Sequence, residues 1–335
     1  MGSICDVPGI TVGHAQDATA MTGCTVILTP DGAVAGVDVR GSAPGTRETD
    51  LLDPQNLVQT VQAIALCGGS AFGLAAATGV VQWLYEHDYG FKTNETHVPI
   101  VPAAVIYDLG VGAANVWPDA AMGYRACTVA DTLVAEGNIG AGTGASVGKV
   151  LGASGAMKSG VGTASLRLNF TNPTTGESYQ YTVGALVVTN AFGDIYDGEN
   201  IIAGAQVDGK FVNSSQILRD NSALLPAPLA GQNTTIAVVA TNAPLTKGGC
   251  RKMAQMAHDG MARAIRPAHT MFDGDTIFAL STGGLPTTPT TPLLITILGS
   301  VASDVLALAI VRSVTQAAPT QHLPAVSSFH QSSTL

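Results

Sequence analysis

"LAGQNTTIAVVAT", residues 229–241, sets a polar, glycine-containing loop directly against a run of Ile, Ala and Val. Upstream, "SSQILRDNSALLPAPLAGQN" (214–233) is polar, carries Pro226 and Pro228, and reads as a linker with weak structure of its own. Downstream, "TTIAVVAT" (234–241) reads as a β-strand. A turn that ends on Asn233 and hands over to a strand is the commonplace reading. The Asn-Thr bond at that junction admits a second. A threonine hydroxyl is a poor nucleophile until a base takes its proton, and one solution uses the residue's own α-amine as that base. An internal Thr has no free amine, so the chain would have to be cut just before Thr234. A linker, a small polar residue and a hydroxyl at the mouth of a strand are what such a cut needs.

The rest of the chain bounds the class. Its 335 residues allow one large layered domain or two smaller ones. Apolar residues reach 46% while aromatics reach only 5%, and there are 39 glycines, so layers packed closely through small side chains are expected. The net charge of −9, with no Lys/Arg run, argues against nucleic acid as a partner. Cys5, Cys24, Cys67, Cys127 and Cys250 are odd in number, widely spaced and without a CxxC pair. That speaks against zinc or redox sites and for free thiols in a reducing compartment, the cytoplasm. "MGSICDVPGITVGH" lacks the basic and apolar regions of a signal peptide, and the sequons at Asn94, Asn169, Asn213 and Asn233 then carry no meaning. The terminal "STL" only loosely resembles a peroxisomal tripeptide, and 320–335 reads as a frayed, disordered tail. Pro292 to Val311 is apolar enough to raise a membrane question, but Thr296, Ser300, Ser303 and Asp304 point to a buried core helix and no membrane partner.

Strand and helix patterns alternate in blocks, with no internal repeat, which predicts a single α/β layered domain over 1–335. Short strands are expected at "GITVGHA", "GCTVILT" and "GAVAGVDVR". "TDLLDPQNLVQTVQAIALC" (49–67) reads as a helix capped by Asp53, with Pro54 at its first position and Leu57, Val61, Ile64 and Ala65 on one face. A second helix is expected over "GGSAFGLAAATGVVQWLYEH", a buried strand at "VPIVPAAVIYDLG", and a Gly/Ala-rich loop over 136–163. Strands at "SLRLNFTN", "YQYTVGALVVTNAFGDI" and "GAQVDGKFV" precede the linker. A helix over 249–265, the strand "DTIFALST" and a long helix near 297–315 follow it.

Two glycine loops invite a phosphate reading. "GNIGAGTGASVGKV" (137–150) fails both tests. Thr143 stands where a phosphate loop needs its first glycine, Val150 where it needs a hydroxyl, and Val147 where a dinucleotide fingerprint needs its third glycine. No nucleotide or other cofactor is expected. Lys149 remains as a lone cation able to hold an anion or tune a neighbouring pKa. In "CGGSAF" (67–72), the backbone amides of Gly68, Gly69 and Ser70 open a helix, a generic place for a carboxylate or oxyanion.

"HTMFDGDT" puts Asp273 and Asp275 two apart on the approach to a strand, where i and i+2 point the same way. Two such carboxylates could orient a hydroxyl and an ammonium and raise one another's pKa. An Asp-Gly-Asp turn is also a common loop or metal-ligand set, and no His-rich pattern supports a metal.

Taken together, "PGITVGHA", "GSAPGTRETDLLDP", "LCGGSAFGL", "VPAAVIYDLG", "GAGTGASVGKV", "VVTNAFGD", "NTTIAVVAT" and "MAQMAHDGMARAIRPAHTMFDGDTIFAL" resemble, nearly over the full length, the self-processing family of L-aminopeptidase D-esterases and β-peptidyl aminopeptidases. The resemblance is closest to its 6-aminohexanoate-oligomer (nylon-oligomer) endohydrolases. It implies an αββα sandwich like that of N-terminal-nucleophile hydrolases. It also implies self-cleavage between Asn233 and Thr234 into a large chain, 1–233, and a small chain, 234–335. Thr234 is then the nucleophile, Asn190 the oxyanion-stabilising amide, Lys149 the lysine beside the nucleophile, Asp273 and Asp275 the acidic pair, and Tyr107 a pocket residue. Substrates would be short peptides or amide oligomers, and the working form a homo-oligomer of cut units. Three rivals stand beside this reading: an aminopeptidase releasing N-terminal residues, an acyltransferase like the ornithine acetyltransferases, and a non-catalytic binding protein.

Overall fold

The strand expected after the junction runs over Ile236–Thr241. In the computed structural model, which describes residues 2–173, 175–220, 233–286 and 290–330, it lies at the centre of a nine-stranded sheet. The strands are β1 Thr11–Asp17, β2 Thr22–Val39, β3 Thr46–Arg47, β4 Thr60–Cys67, β5 Ala103–Val105, β6 Val161–Thr171, β7 Ser178–Val188, β8 Ile236–Thr241 and β9 Thr276–Ser281. Their order is β6-β7-β8-β9-β2-β4-β5-β3, with β1 also on β2. The β8–β9 and β4–β5 pairs are parallel and the others antiparallel.

Strand β2 joins two layers. Its residues 34–39 pair with β9, its residues 24–28 pair with β4 and β1, and the register shifts between Leu28 and Ala33. An apolar layer between the two halves contains Ile27, Ile64 and Leu66 from one side and Val188, Ile236 and Phe278 from the other. Helices α1 (Ala76–Glu86) and α2 (Ala120–Thr128) cover the β2–β4 half, and α4 (Lys247–Ala264) and α5 (Pro292–Thr315) cover the β6–β9 half. This is the expected αββα sandwich. Small residues set its spacing: a Cβ on Gly260 of α4 would lie 2.0 Å from the Ser303 carbonyl of α5, so the helices touch backbone to backbone.

Several expectations are corrected. Residues 60–67 form β4, not a helix; Ile64 and Leu66 enter one core while Ala63, Ala65 and Cys67 enter another. A strand buried on both faces is a continuous apolar run, which periodicity alone does not separate from a helix. Asp53 instead follows a short 3₁₀ turn, Asp50–Leu52. The strands expected at 23–29 and 32–40 are one, β2. The linker begins with a helix, α3 (Ser214–Asp220), whose Ser214 donates from N and Oγ to the buried Asp194 carboxylate at 2.7 Å each; its remainder, 221–232, lies outside the described residues.

The tail expected to be frayed from residue 320 is also placed as far as α6 (Val326–His330), with Leu323 and Ala325 buried, whereas 331–335 lie outside the described residues. Helix α5 is long and apolar enough to cross a membrane by length and composition, with mean hydropathy 2.2 over its most apolar window. Here Leu298, Ala302, Leu306 and Ala309 are buried in the core it shares with α4 and the sheet.

Candidate active site

The parallel pairing of β8 and β9 brings the two unusual stretches of sequence together. Register runs back from Ile236 opposite Thr276 to a bridge between Asn233 and Asp273. The Gly274 amide donates to the Asn233 carbonyl at 2.9 Å, and the Thr234 amide donates to the Asn190 carbonyl at 2.7 Å. The peptide bond ahead of Thr234 is therefore held from both ends. The Thr234 hydroxyl donates to the same Asn233 carbonyl oxygen at 2.5 Å. Both residues are buried, at 1% and 4% exposure. Gly274 is required here for space, since a Cβ would lie 2.5 Å from the Ala43 carbonyl and 2.8 Å from Thr234 Oγ1.

The acidic pair flanks this point with divided duties. Asp275 accepts from the Thr235 amide at 2.8 Å through Oδ1, and from the His269 amide at 3.0 Å and His269 Nδ1 at 2.8 Å through Oδ2. Asp273 accepts from the Thr270 amide at 2.8 Å and the Thr270 hydroxyl at 2.5 Å. Burial and, next, the Asp275 charge push the Asp273 carboxyl up to about 6, against the pull of the Thr270 hydrogen bonds.

The glycine loop delivers the cation. Gly148, at φ 71°, donates to the Gly193 carbonyl at 3.0 Å, and the Lys149 amide donates to the Phe192 carbonyl at 3.0 Å, so the loop docks on the "NAFG" segment after β7. Lys149 Nζ then donates to Asn190 Oδ1 at 2.6 Å, which also accepts from the Ser146 amide at 3.2 Å. Asn190 Nδ2 donates to the Tyr107 carbonyl at 3.1 Å. Burial brings the Lys149 ammonium down to about 7, although Asp273 and then Asp108 favour its charged form. A lysine at that value exchanges protons at neutral pH.

Beside Lys149 lies a cavity of about 210 Å³ whose walls include Tyr107, Val111, Asn233, His322 and Leu323. Thr234, Asn190, Lys149, Asp273, Asp275 and Tyr107 are thus gathered around one point. Gly68, Gly69 and Ser70 are not. Their amides donate to the Gly23 carbonyl (2.8 Å), to Asp108 Oδ1 (2.6 Å) and to the Ile106 carbonyl (2.9 Å), which leaves them no donor for an anion. Asp108 also accepts from the Thr22 hydroxyl at 2.7 Å, and burial raises its pKa. Sequence reasoning passed over Asp108, His269, Thr270, the Gly274 amide, His322 and Leu323. A signal existed for His269 and Thr270, which stand in the same "HTMFDGDT" as the acidic pair. Gly274 stands in that stretch as well and Asp108 follows Tyr107 in "VPAAVIYDLG", whereas nothing local marked His322 and Leu323.

A family model described as peptidase family S58 matches residues 2–325. An uncharacterized aminopeptidase of Mycobacterium tuberculosis is 45% identical over 348 residues, covering 97% of this chain and 96% of that protein. A 6-aminohexanoate-oligomer endohydrolase of Kocuria is 33% identical over 317 residues, covering 90% and 82%. Among solved structures, the L-aminopeptidase D-Ala-esterase/amidase of Ochrobactrum anthropi, described as a variant of the Ntn-hydrolase fold, superposes with TM-score 0.72 at 22% identity over 97% of this chain and 89% of its own.

Proposed function

Because this chain belongs to peptidase family S58 and is a hydrolase of peptide or amide bonds, we propose that it cuts itself between Asn233 and Thr234 and then works through Thr234 as an N-terminal nucleophile. The observation that carries this reading is the buried Asn233 carbonyl, which receives the Thr234 hydroxyl at 2.5 Å and the Gly274 amide at 2.9 Å. In the uncut chain, Lys149 takes the Thr234 hydroxyl proton as Oγ1 attacks the Asn233 carbonyl carbon. The oxyanion receives the Gly274 N–H, the C–N bond breaks as the nitrogen is protonated, and Asn233 is left as an ester on Thr234. Water hydrolyses that ester, releasing the Asn233 carboxylate and restoring the Thr234 hydroxyl beside the α-amine freed when the C–N bond broke.

The same groups then act on substrate. The freed amine, assisted by Lys149, takes the hydroxyl proton during attack on an amide carbonyl and returns it to the departing amine. Asn190 is the side-chain donor assigned to the substrate oxyanion, a role worth about 3–4 kcal/mol in other hydrolases. Asp273 and Asp275 fix the strand end that carries Thr234 and its amine. Water releases the acid from the acyl-enzyme.

Short peptides or ω- and β-amino-acid oligomers fit as substrates, in keeping with the relatives that act on 6-aminohexanoate oligomers. An aminopeptidase mode is the second reading, favoured by the 45% identical relatives named as aminopeptidases. The burial of Cys24, Cys67, Cys127 and Cys250 as free thiols supports a reducing, cytoplasmic setting, and an assembly of cut units is part of the proposal. Intact mass under denaturing conditions tests the core of it. Scaling 33.9 kDa by length gives pieces of about 24 and about 10 kDa for wild type, against one piece for Thr234→Ala. A wild-type chain that stays whole and still hydrolyses amides would overturn the Thr234 mechanism.

A further inference from the structure

We propose that Leu323, with His322 beside it, is the specificity wall of the acyl cavity, limiting the breadth of the uncharged acyl chains that this cavity takes. The proposal rests on the reading that Thr234 forms an acyl-enzyme.

The wall is a fixed part of the fold. After α5 the chain turns back along the glycine loop, where Asn138 Nδ2 donates to the Ala318 carbonyl at 2.9 Å and the Ala318 amide donates to Asn138 Oδ1 at 3.1 Å. The Thr320 amide donates to the Leu323 carbonyl at 2.9 Å, closing a turn that presents residues 321 and 322. The Lys158 amide donates to the Pro324 carbonyl at 2.8 Å, and the Phe329 ring lies 5.4 Å from that of Phe211. With Leu323 at 5% exposure and Ala325 fully buried, the segment is anchored on both sides of the point where it meets the cavity.

Geometry makes this the acyl side. Thr234 Oγ1 already touches the Asn233 carbonyl oxygen, so an acyl group carried on Oγ1 takes the place Asn233 holds in the uncut chain. Asn233 lines the same cavity as Leu323 and His322. Among the described residues its side-chain Oδ1 is buried without a hydrogen-bond partner. No Asp or Glu among the described residues lines the cavity. An acyl chain bearing an ammonium would give up its hydration there without a counter-charge, a cost a neutral chain does not meet. Gly152, Ala153 and Ala156 on the remaining wall add little bulk, so Leu323 is the largest aliphatic side chain of the lining. An internal unit of an amide oligomer, whose nitrogen is acylated, satisfies these terms; a free amino-terminal residue does not.

The test compares hexanoyl, cyclohexanecarbonyl and leucine p-nitroanilides on self-cleaved wild type, Leu323→Ala and Leu323→Trp. Completed self-cleavage and cooperative thermal unfolding confirm that each variant is folded. Wild type is expected to favour hexanoyl over both others. Leu323→Ala should raise the cyclohexanecarbonyl-to-hexanoyl ratio of kcat/KM by about tenfold or more, the scale on which a pocket reads one or two methylenes. Leu323→Trp should lower hexanoyl turnover through KM. Unchanged ratios in both variants would overturn the role of Leu323, and a wild-type preference for the leucine anilide would overturn the acyl class. A cut wild type that hydrolyses none of the three would instead count against the hydrolase mechanism itself.

Discussion

The Gly274 amide donates to the carbonyl oxygen of Asn233 at 2.9 Å, across a parallel strand pair that begins one residue before the nucleophile. The same glycine has no room for a Cβ, which would sit 2.8 Å from Thr234 Oγ1. Gly274→Ala should therefore displace either the donor or the hydroxyl. Uncut precursor is expected to accumulate, with self-cleavage slowed by about two orders of magnitude, the usual effect of removing one oxyanion donor. Time-resolved gel analysis of freshly translated protein checks it; processing at the wild-type rate would remove Gly274 from the mechanism.

Self-cleavage should respond to pH through Lys149. Its folded pKa is about 7, so the unprotonated form that accepts the hydroxyl proton grows in as pH rises through that value. The rate of precursor conversion is expected to climb between pH 6 and 8 and then level. Because the Asp273 charge favours the Lys149 ammonium, Asp273→Asn should move this limb to lower pH. A limb that stays in place or moves upward contradicts the coupling.

His269 acts through Asp275, which it holds from both its amide and its ring. His269→Asn retains a residue that tolerates the left-handed backbone at this position, φ 56°. It removes the imidazole donor. Loss of one orienting hydrogen bond, about 1–1.5 kcal/mol, predicts a roughly tenfold fall in kcat with KM little changed. Equal falls in folding yield and in KM would assign His269 a purely structural role.

Lys158 is fully buried with its ammonium among the carbonyls of Gly142, Ala145 and Ser159, inside the loop that carries Lys149. Lys158→Met leaves those carbonyls without their donor and should destabilise the fold by about 2–4 kcal/mol, read as a lower urea midpoint at unchanged slope. The pH dependence carries a second signature. Burial lowers both Lys149 and Lys158 from 10.5 to about 7. Above pH 7 the unfolded chain therefore binds protons that the folded chain has released, and stability rises with pH. That gain should be visible between pH 7 and about 8, before the thiols of the unfolded chain, with pKa values of about 8.5, ionise appreciably. It should be smaller in Lys158→Met. A wild-type midpoint that is flat or falls over this window would show that the two amines are not held near neutrality.

Much of this molecule follows from local sequence. The short apolar runs of "TTIAVVAT" and "DTIFALST" and the helical patterns of α4 and α5 are short-range statements, and they survive folding because the cores bury those runs. The site residues came from another source: the stretches of Thr234, Lys149 and the acidic pair each admit an ordinary structural reading, and it was the resemblance across the whole chain that grouped them with Asn190. Tertiary structure decided the rest. Whether 60–67 was helix or strand depended on two cores closing over both its faces. The fate of the Gly68–Ser70 amides depended on distant acceptors, the Gly23 and Ile106 carbonyls and Asp108, which is 39 residues from Gly69 in sequence. Register across β8 and β9 set the Gly274 amide on the Asn233 carbonyl, and packing of the tail against the glycine loop set Leu323 in the cavity. Periodicity and capping act over a few residues and can be read along the chain, whereas desolvation, register and wall placement arise only when distant segments share a volume.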